Sequence, residues 1–184
     1  MRNIYSLLNL KNRQIMTKQG NYTVYVVDDD PLYLANVEQT IRSNENIHVD
    51  LKTFSTGEEC LEEVANTPPD IVVLDYYLNS RIANAMNGVQ LLSKIKTFNS
   101  KIQAIMLSSQ ESIDIAVNSI KYGASDYVVK SETAFVRINN TLKNIVSSLY
   151  VGKEMKTYEK WNIAIAIFFV LLILGLSYWS ILHL

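Results

Sequence analysis

The chain has 184 residues, with 17 Lys plus Arg set against 18 Asp plus Glu and a formal net charge of −1. That balance gives no global electrostatic basis for binding nucleic acid, and a lone cysteine, Cys60, excludes an intrachain disulfide. The length suits one ordinary domain with a further segment attached.

Residues 1–20 carry Arg2, Lys11, Arg13 and Lys18 without an acid, and read as a loose basic leader, with Met16 as an alternative start. The first strand then begins at Tyr22. Val24, Val26 and Val27 leave it no polar face, so it is expected to be buried on both sides. It stops at three successive carboxylates, Asp28, Asp29 and Asp30, followed by Pro31. Adjacent like charges repel, and a hard divalent cation such as magnesium relieves that repulsion. The simpler alternative is that Asp30 caps a helix starting near Pro31 while the other two acids are solvated.

Leu32, Leu34, Val37 and Ile41 recur at helical spacing, and Val49–Phe54 alternates like a half-exposed strand. Ser55 or Thr56 caps a helix through Val64 that ends at the Thr67-Pro-Pro punctuation. Ile71 to Leu74 is a second fully apolar run, and it too ends on a carboxylate, Asp75. A polar loop from Asn79 to Asn87 leads into a helix around Val89–Ile95. Then come a strand from Ile102 ending at Ser108, a helix from Ser112 closed by Gly123, a strand from Tyr127 to Lys130, and a last helix capped by Ser131. Phe135, Ile138, Leu142, Ile145 and Leu149 share one face of that helix. Five strands alternating with five helices predict a doubly wound parallel sheet, with ligands outside the carboxyl ends of the strands.

From Trp161 to Leu184 the sequence contains no Asp, Glu, Lys or Arg, and Ile163–Leu174 is almost purely aliphatic and aromatic. Such a helix matches a hydrocarbon core of roughly 30 Å, with Trp161, Tyr178 and Trp179 as interfacial aromatics. Lys153, Lys156 and Lys160 precede the segment and His183 alone lies near its far end. The expectation is a single-pass tail anchor in the inner, cytoplasmic membrane that keeps the preceding domain in the cytoplasm.

Four pieces, each closing a strand, carry a family resemblance: Val-Val-Asp-Asp at 26–29, Val-Leu-Asp at 73–75, Met-Leu-Ser at 106–108 and Gly-Ala-Ser-Asp-Tyr-Val-Val-Lys at 123–130. In this order they resemble the receiver domain of two-component response regulators, CheY-like, over roughly Tyr22 to Tyr150. The resemblance implies a (βα)5 flavodoxin-like fold with strand order 2-1-3-4-5. It also implies magnesium-dependent acceptance of a phosphoryl group from a histidine kinase or phosphotransfer protein. By the same resemblance Asp75 is the phosphoacceptor, and Asp28, Asp29, Asp75 and the backbone carbonyl of Tyr77 hold Mg2+. Lys130 pairs with the aspartate and then with the phosphoryl group, Ser108 hydrogen-bonds that group, and Ser108 and Tyr127 are the switch residues. Such a chain is a signalling domain rather than an enzyme. Its parts are then a leader over 1–20, a receiver over 21–150, a linker over 151–160 and a transmembrane helix over 161–184.

Three departures from the family pattern stand out. Ser131 takes the place of the usual proline after the lysine, the loop to Gly88 is long and lacks proline, and Tyr77 and Gln110 occupy positions that influence attack by water. The expected function is a membrane-anchored phosphoacceptor that switches protein–protein contacts, with self-association or a membrane protein as partner and no nucleic acid. The alternative is a receiver-shaped scaffold subunit of a membrane complex that does not depend on phosphorylation. A hydrolase using Asp75 as nucleophile is disfavoured, because Tyr77 stands where such enzymes place an acid/base aspartate.

Overall fold

The structure, a computed structural model, describes residues 22–45, 47–78 and 86–182. The expected leader and most of the Asn79–Asn87 loop lie outside these residues. The chain divides into two compact units, the first ending at Val146 and the second running from Ser147.

The first unit is built on five parallel strands: β1 (Tyr22–Val27), β2 (Val49–Phe54), β3 (Ile71–Asp75), β4 (Gln103–Ser108) and β5 (Asp126–Val129). They lie in the order β2-β1-β3-β4-β5, as expected. Between them run α1 (Pro31–Arg42), α2 (Gly57–Asn66), α3 (Gly88–Phe98) and α4 (Ile113–Lys121), and α5 (Ala134–Leu182) follows β5. β3 is buried along its whole length, whereas β2 buries only Leu51, which suits an edge strand.

Alternation along the strands sorts the core into two faces. Tyr25, Val27, Val72, Leu74, Ala104 and Met106 pack with Cys60 and Val64 of α2 and Leu91, Leu92 and Ile95 of α3. The intervening strand residues point to the opposite side. There Tyr33 of α1 stacks on Phe135 of α5 with ring centroids 5.4 Å apart, and Asn139 donates to the Thr40 carbonyl. Cys60 is fully buried, and burial pushes its thiol up to about 12, so it packs as a small apolar residue.

Local signals set the helix starts. Asp30 caps α1 by accepting from the Leu32 and Tyr33 amides, with Pro31 in the first turn, so the simpler reading holds for this third carboxylate. Thr56 caps α2, Ser112 caps α4, and Asn87 with Gln90 forms a reciprocal capping box on α3. Gly123, at φ +95°, ends α4 in the left-handed conformation that a glycine adopts without strain. Ser131 does not cap the last helix. Its carbonyl accepts from the Ala134 amide in a turn and its hydroxyl meets that of Thr133, so helical structure starts two residues later than expected.

The second unit is the part of α5 from Ser147 onward. The segment expected as a linker, 151–160, is helical. Among the described residues no helix is long and apolar enough to cross a membrane, so the expected transmembrane helix is not borne out. Part of 161–184 lies outside the described side chains.

Gly88 is fixed by a close approach. Its amide donates to the Tyr76 carbonyl at 2.9 Å, and a Cβ at this position would lie 2.2 Å from the Asp75 carbonyl oxygen. Gly88→Ala is expected to lower stability in a denaturant titration by ~2 kcal/mol or more, through forced displacement of backbone. An unchanged midpoint would show that the loop end is free to move.

A candidate acidic site at the carboxyl edge of the sheet

Register brings the site together. In the β1–β3 ladder Val27 pairs with Leu74, so the next residues, Asp28 and Asp75, emerge side by side. In the β4–β5 ladder Ser108 pairs with Val129, which places Lys130 just beyond Ser108. This edge lies where strand order reverses around β1 and β3, the usual crevice of such sheets.

Asp28 and Asp75 are almost wholly buried, at 0% and 3% exposure. One ammonium serves both: Lys130 Nζ lies 2.7 Å from Asp28 Oδ2 and 2.9 Å from Asp75 Oδ1. Asp28 Oδ1 also accepts from the Asp30 amide at 3.0 Å, and Asp75 receives a hydrogen bond from the Tyr77 backbone. Asp29 completes a group in which Asp28, Asp29 and Asp75 each offer an oxygen within 4.8 Å of the others. Three hard carboxylate oxygens at that separation fit a magnesium ion, which keeps several waters and takes one or two carboxylates.

The charges do not balance internally. Burial pushes the Asp28 carboxyl up to about 6, against the pull of Lys130 and with a further push from Asp75. Burial also raises Asp75, which Lys130 opposes and Asp29 reinforces. Burial works against the Lys130 ammonium, but its bond to Asp28 and the charges of Asp75 and Asp28 outweigh it, and its pKa is raised.

Ser108 and Tyr127 stand next to this group but are bonded elsewhere. Ser108 Oγ donates to the Gln110 carbonyl at 3.1 Å and accepts from its amide at 3.2 Å. It therefore does not cap α4. The Tyr127 hydroxyl donates to the same carbonyl at 2.6 Å, and the Tyr77 hydroxyl donates to Gln110 Oε1 at 2.9 Å. Gln110 thus gathers both expected switch residues and Tyr77. The sequence singled out its position but not its role as their shared partner. Tyr33 was missed outright: its ring lies 4.4 Å from Lys130 Nζ, and its placement at the helix spacing of core residues disguised it as packing.

The comparisons with known proteins agree on the family and the fold. The family model for the response regulator receiver domain matches residues 24–142. The transcriptional regulatory protein PrrA of Mycobacterium leprae is 32% identical over 107 residues, which are 58% of this chain and 42% of PrrA. ZraR of Klebsiella oxytoca, also a transcriptional regulatory protein, is 34% identical over 107 residues, covering 58% of this chain and 22% of its own length. The chain thus spans less than half the length of these curated relatives. Among solved structures, a CheY-like receiver domain protein from Methanospirillum hungatei superposes with TM-score 0.61 at 21% identity, over 70% of this chain and 96% of that one. The BeF3-activated DrrB receiver domain gives 0.55 at 26% identity, over 67% and 99%.

The raised Asp28 pKa fixes the sign of a pH effect. A carboxyl at about 6 in the folded state, against about 4 unfolded, binds its proton more readily when folded, so its contribution to stability is present at low pH and lost as pH rises through 6. Without metal, the folded chain is expected to lose about 1 kcal/mol of stability from this group between pH 5 and pH 7. Asp28→Asn should remove that part of the slope in denaturation curves. A slope unchanged by the substitution would show that Asp28 is not perturbed.

Proposed function

Because the chain belongs to the response regulator receiver family, we propose that it acts as a phosphoacceptor switch with Asp75 as the receiving group. The observation that carries this reading is the sharing of one ammonium by two buried carboxylates, with a third acid alongside. In the proposed reaction an Asp75 oxygen attacks the phosphorus of a phosphohistidine on a histidine kinase or phosphotransfer protein. The P–N bond breaks as the new P–O bond forms, and the imidazole leaves with the electron pair and takes up a proton. Asp28, Asp29, Asp75 and the Tyr77 carbonyl would hold Mg2+, which when bound offsets the charge of the acids and of the transferred group. Lys130 would exchange its contact with Asp75 for one with a phosphoryl oxygen, a role that its 2.9 Å contact with Asp75 Oδ1 supports.

The response would travel through the loop after β4. Ser108 would donate to a phosphoryl oxygen only by giving up the bond it donates to the Gln110 carbonyl, and the same carbonyl accepts from Tyr127. Phosphorylation would therefore compete with a bond to the carbonyl that Tyr127 shares, and would shift the population of the face formed by α4, β5 and the start of α5. With acetyl phosphate, the full-length chain is expected to form a phosphoprotein only when Mg2+ is present, and Asp75→Asn should form none. Labelling that persists in that variant, or that ignores the metal, would overturn the assignment.

We further propose that residues 161–184 anchor the chain in the cytoplasmic membrane with the receiver in the cytoplasm. This reading rests on the sequence, in which 24 residues without Asp, Glu, Lys or Arg follow Lys153, Lys156 and Lys160. A membrane protein or a second copy of the chain is then the proposed output partner. The full-length chain is expected to stay with the membrane fraction after alkaline carbonate washing. Its release into the supernatant would remove the anchor from the model of its action.

A further inference from the structure

Lys130 is a long side chain on which two acids and, in the reading above, a phosphoryl group depend. A lysine stem has about 2 kcal/mol of rotamer entropy to lose, so an ammonium at the end of four methylenes stays in place only if something other than its changing partners holds it. The structure supplies such a contact. The Tyr33 ring lies 4.4 Å from Lys130 Nζ, well inside the ~6 Å over which an aromatic face attracts a cation. The residue is itself held at two points, its ring and its backbone. It stacks on Phe135 at an interplanar angle of 30°, and the Tyr33 amide is held by the Asp30 side chain at 3.2 Å in the first turn of α1.

The hydroxyl of Tyr33 has a different status. It is buried and has no hydrogen-bond partner among the described residues. A buried tyrosine hydroxyl ordinarily finds a partner, and leaving it without one is unfavourable. The aromatic ring, rather than the hydroxyl, is then the part of the side chain with a task at this position.

From this geometry we infer that Tyr33 is a positioning residue for phosphoryl transfer, whose ring face holds the Lys130 ammonium at the acid site while its carboxylate partner is replaced by a phosphoryl group. The inference rests on the phosphoacceptor reading and adds to it a group outside the acid cluster. The ion pairs with Asp28 and Asp75 depend on the charge of those groups, which changes when a metal binds or Asp75 becomes an acyl phosphate. The ring contact does not depend on that charge, so it persists through the whole cycle. It also joins the site to α1 and to the start of α5, since Asp30, Tyr33 and Phe135 form one connected chain of contacts.

The test uses the full-length chain in mild detergent with acetyl phosphate and Mg2+, and follows both the rate and its dependence on donor concentration. Tyr33→Leu, which keeps apolar bulk but has no ring face, is expected to phosphorylate about tenfold more slowly at saturating donor, with little change in apparent KM. Tyr33→Phe should keep the wild-type rate, and mono-, di- and trifluorophenylalanine at position 33 should slow it stepwise as the ring face loses negative potential. Equal rates for wild type and Leu, a Phe variant as slow as Leu, or a fluorinated series without a trend would each overturn the inference. An independent measurement needs no phosphorylation: the Lys130 methylene protons should show ring-current upfield shifts in wild type and Tyr33→Phe that vanish in Tyr33→Leu. Absence of those shifts in the wild type refutes the contact itself. Failure of the wild type to accept a phosphoryl group, with the shifts present, refutes the parent reading and leaves Tyr33 as a structural clamp only.

Discussion

Two buried carboxylates share one ammonium, and the carboxyl edge of this sheet is arranged around that shortage. Asp28 and Asp75 are both withdrawn from water, and Lys130 touches each of them within 3 Å. One positive charge cannot neutralise two negative ones with Asp29 beside them, and burial magnifies the imbalance. An isolated fold would be better served by an apolar residue in either position. Neutrality among Asp28, Asp75 and Lys130 requires one more positive charge, which biases the site toward binding a cation.

Much of this was readable in the sequence because parallel strands convert linear order into spatial coincidence. Val26, Val27 and the run Ile71–Leu74 announce strands buried on both faces, and the residues that end such strands in one sheet must meet at one edge. Asp28, Asp75, Ser108 and Lys130 were therefore placed together without knowledge of a single dihedral angle. Caps were legible where a residue acts on its own stretch of backbone, Thr56 and Ser112 through their hydroxyls and Gly123 through its positive φ. Ser131 misled because a serine ahead of an amphipathic run looks the same whether it caps a helix or opens the turn before one.

What was illegible shares one property: it depends on side-chain direction across elements rather than on order along them. Tyr33 occupies a helical position that periodicity assigns to packing, and only the tertiary placement of β5 brings Lys130 beneath its ring. Gln110 lies in a short loop with no period to analyse, yet Ser108, Tyr77 and Tyr127 all bond to it. The C-terminal segment is the reverse case. Its composition is unambiguous as a pattern, yet among the described residues no helix is long and apolar enough to cross a membrane.

The contact at Gly88 has a consequence for how such a domain can diversify. The Gly88 amide reaches back to the Tyr76 carbonyl, and the glycine lies flat against the Asp75 carbonyl, so the chain leaves and returns to Asp75 at two fixed points. Variation is thereby confined: position 88 cannot gain a side chain without displacing the backbone of Asp75, and Tyr77, just past the first point, is tied to the Asp75 carboxylate and to Gln110. Sequence here can drift only away from these ties.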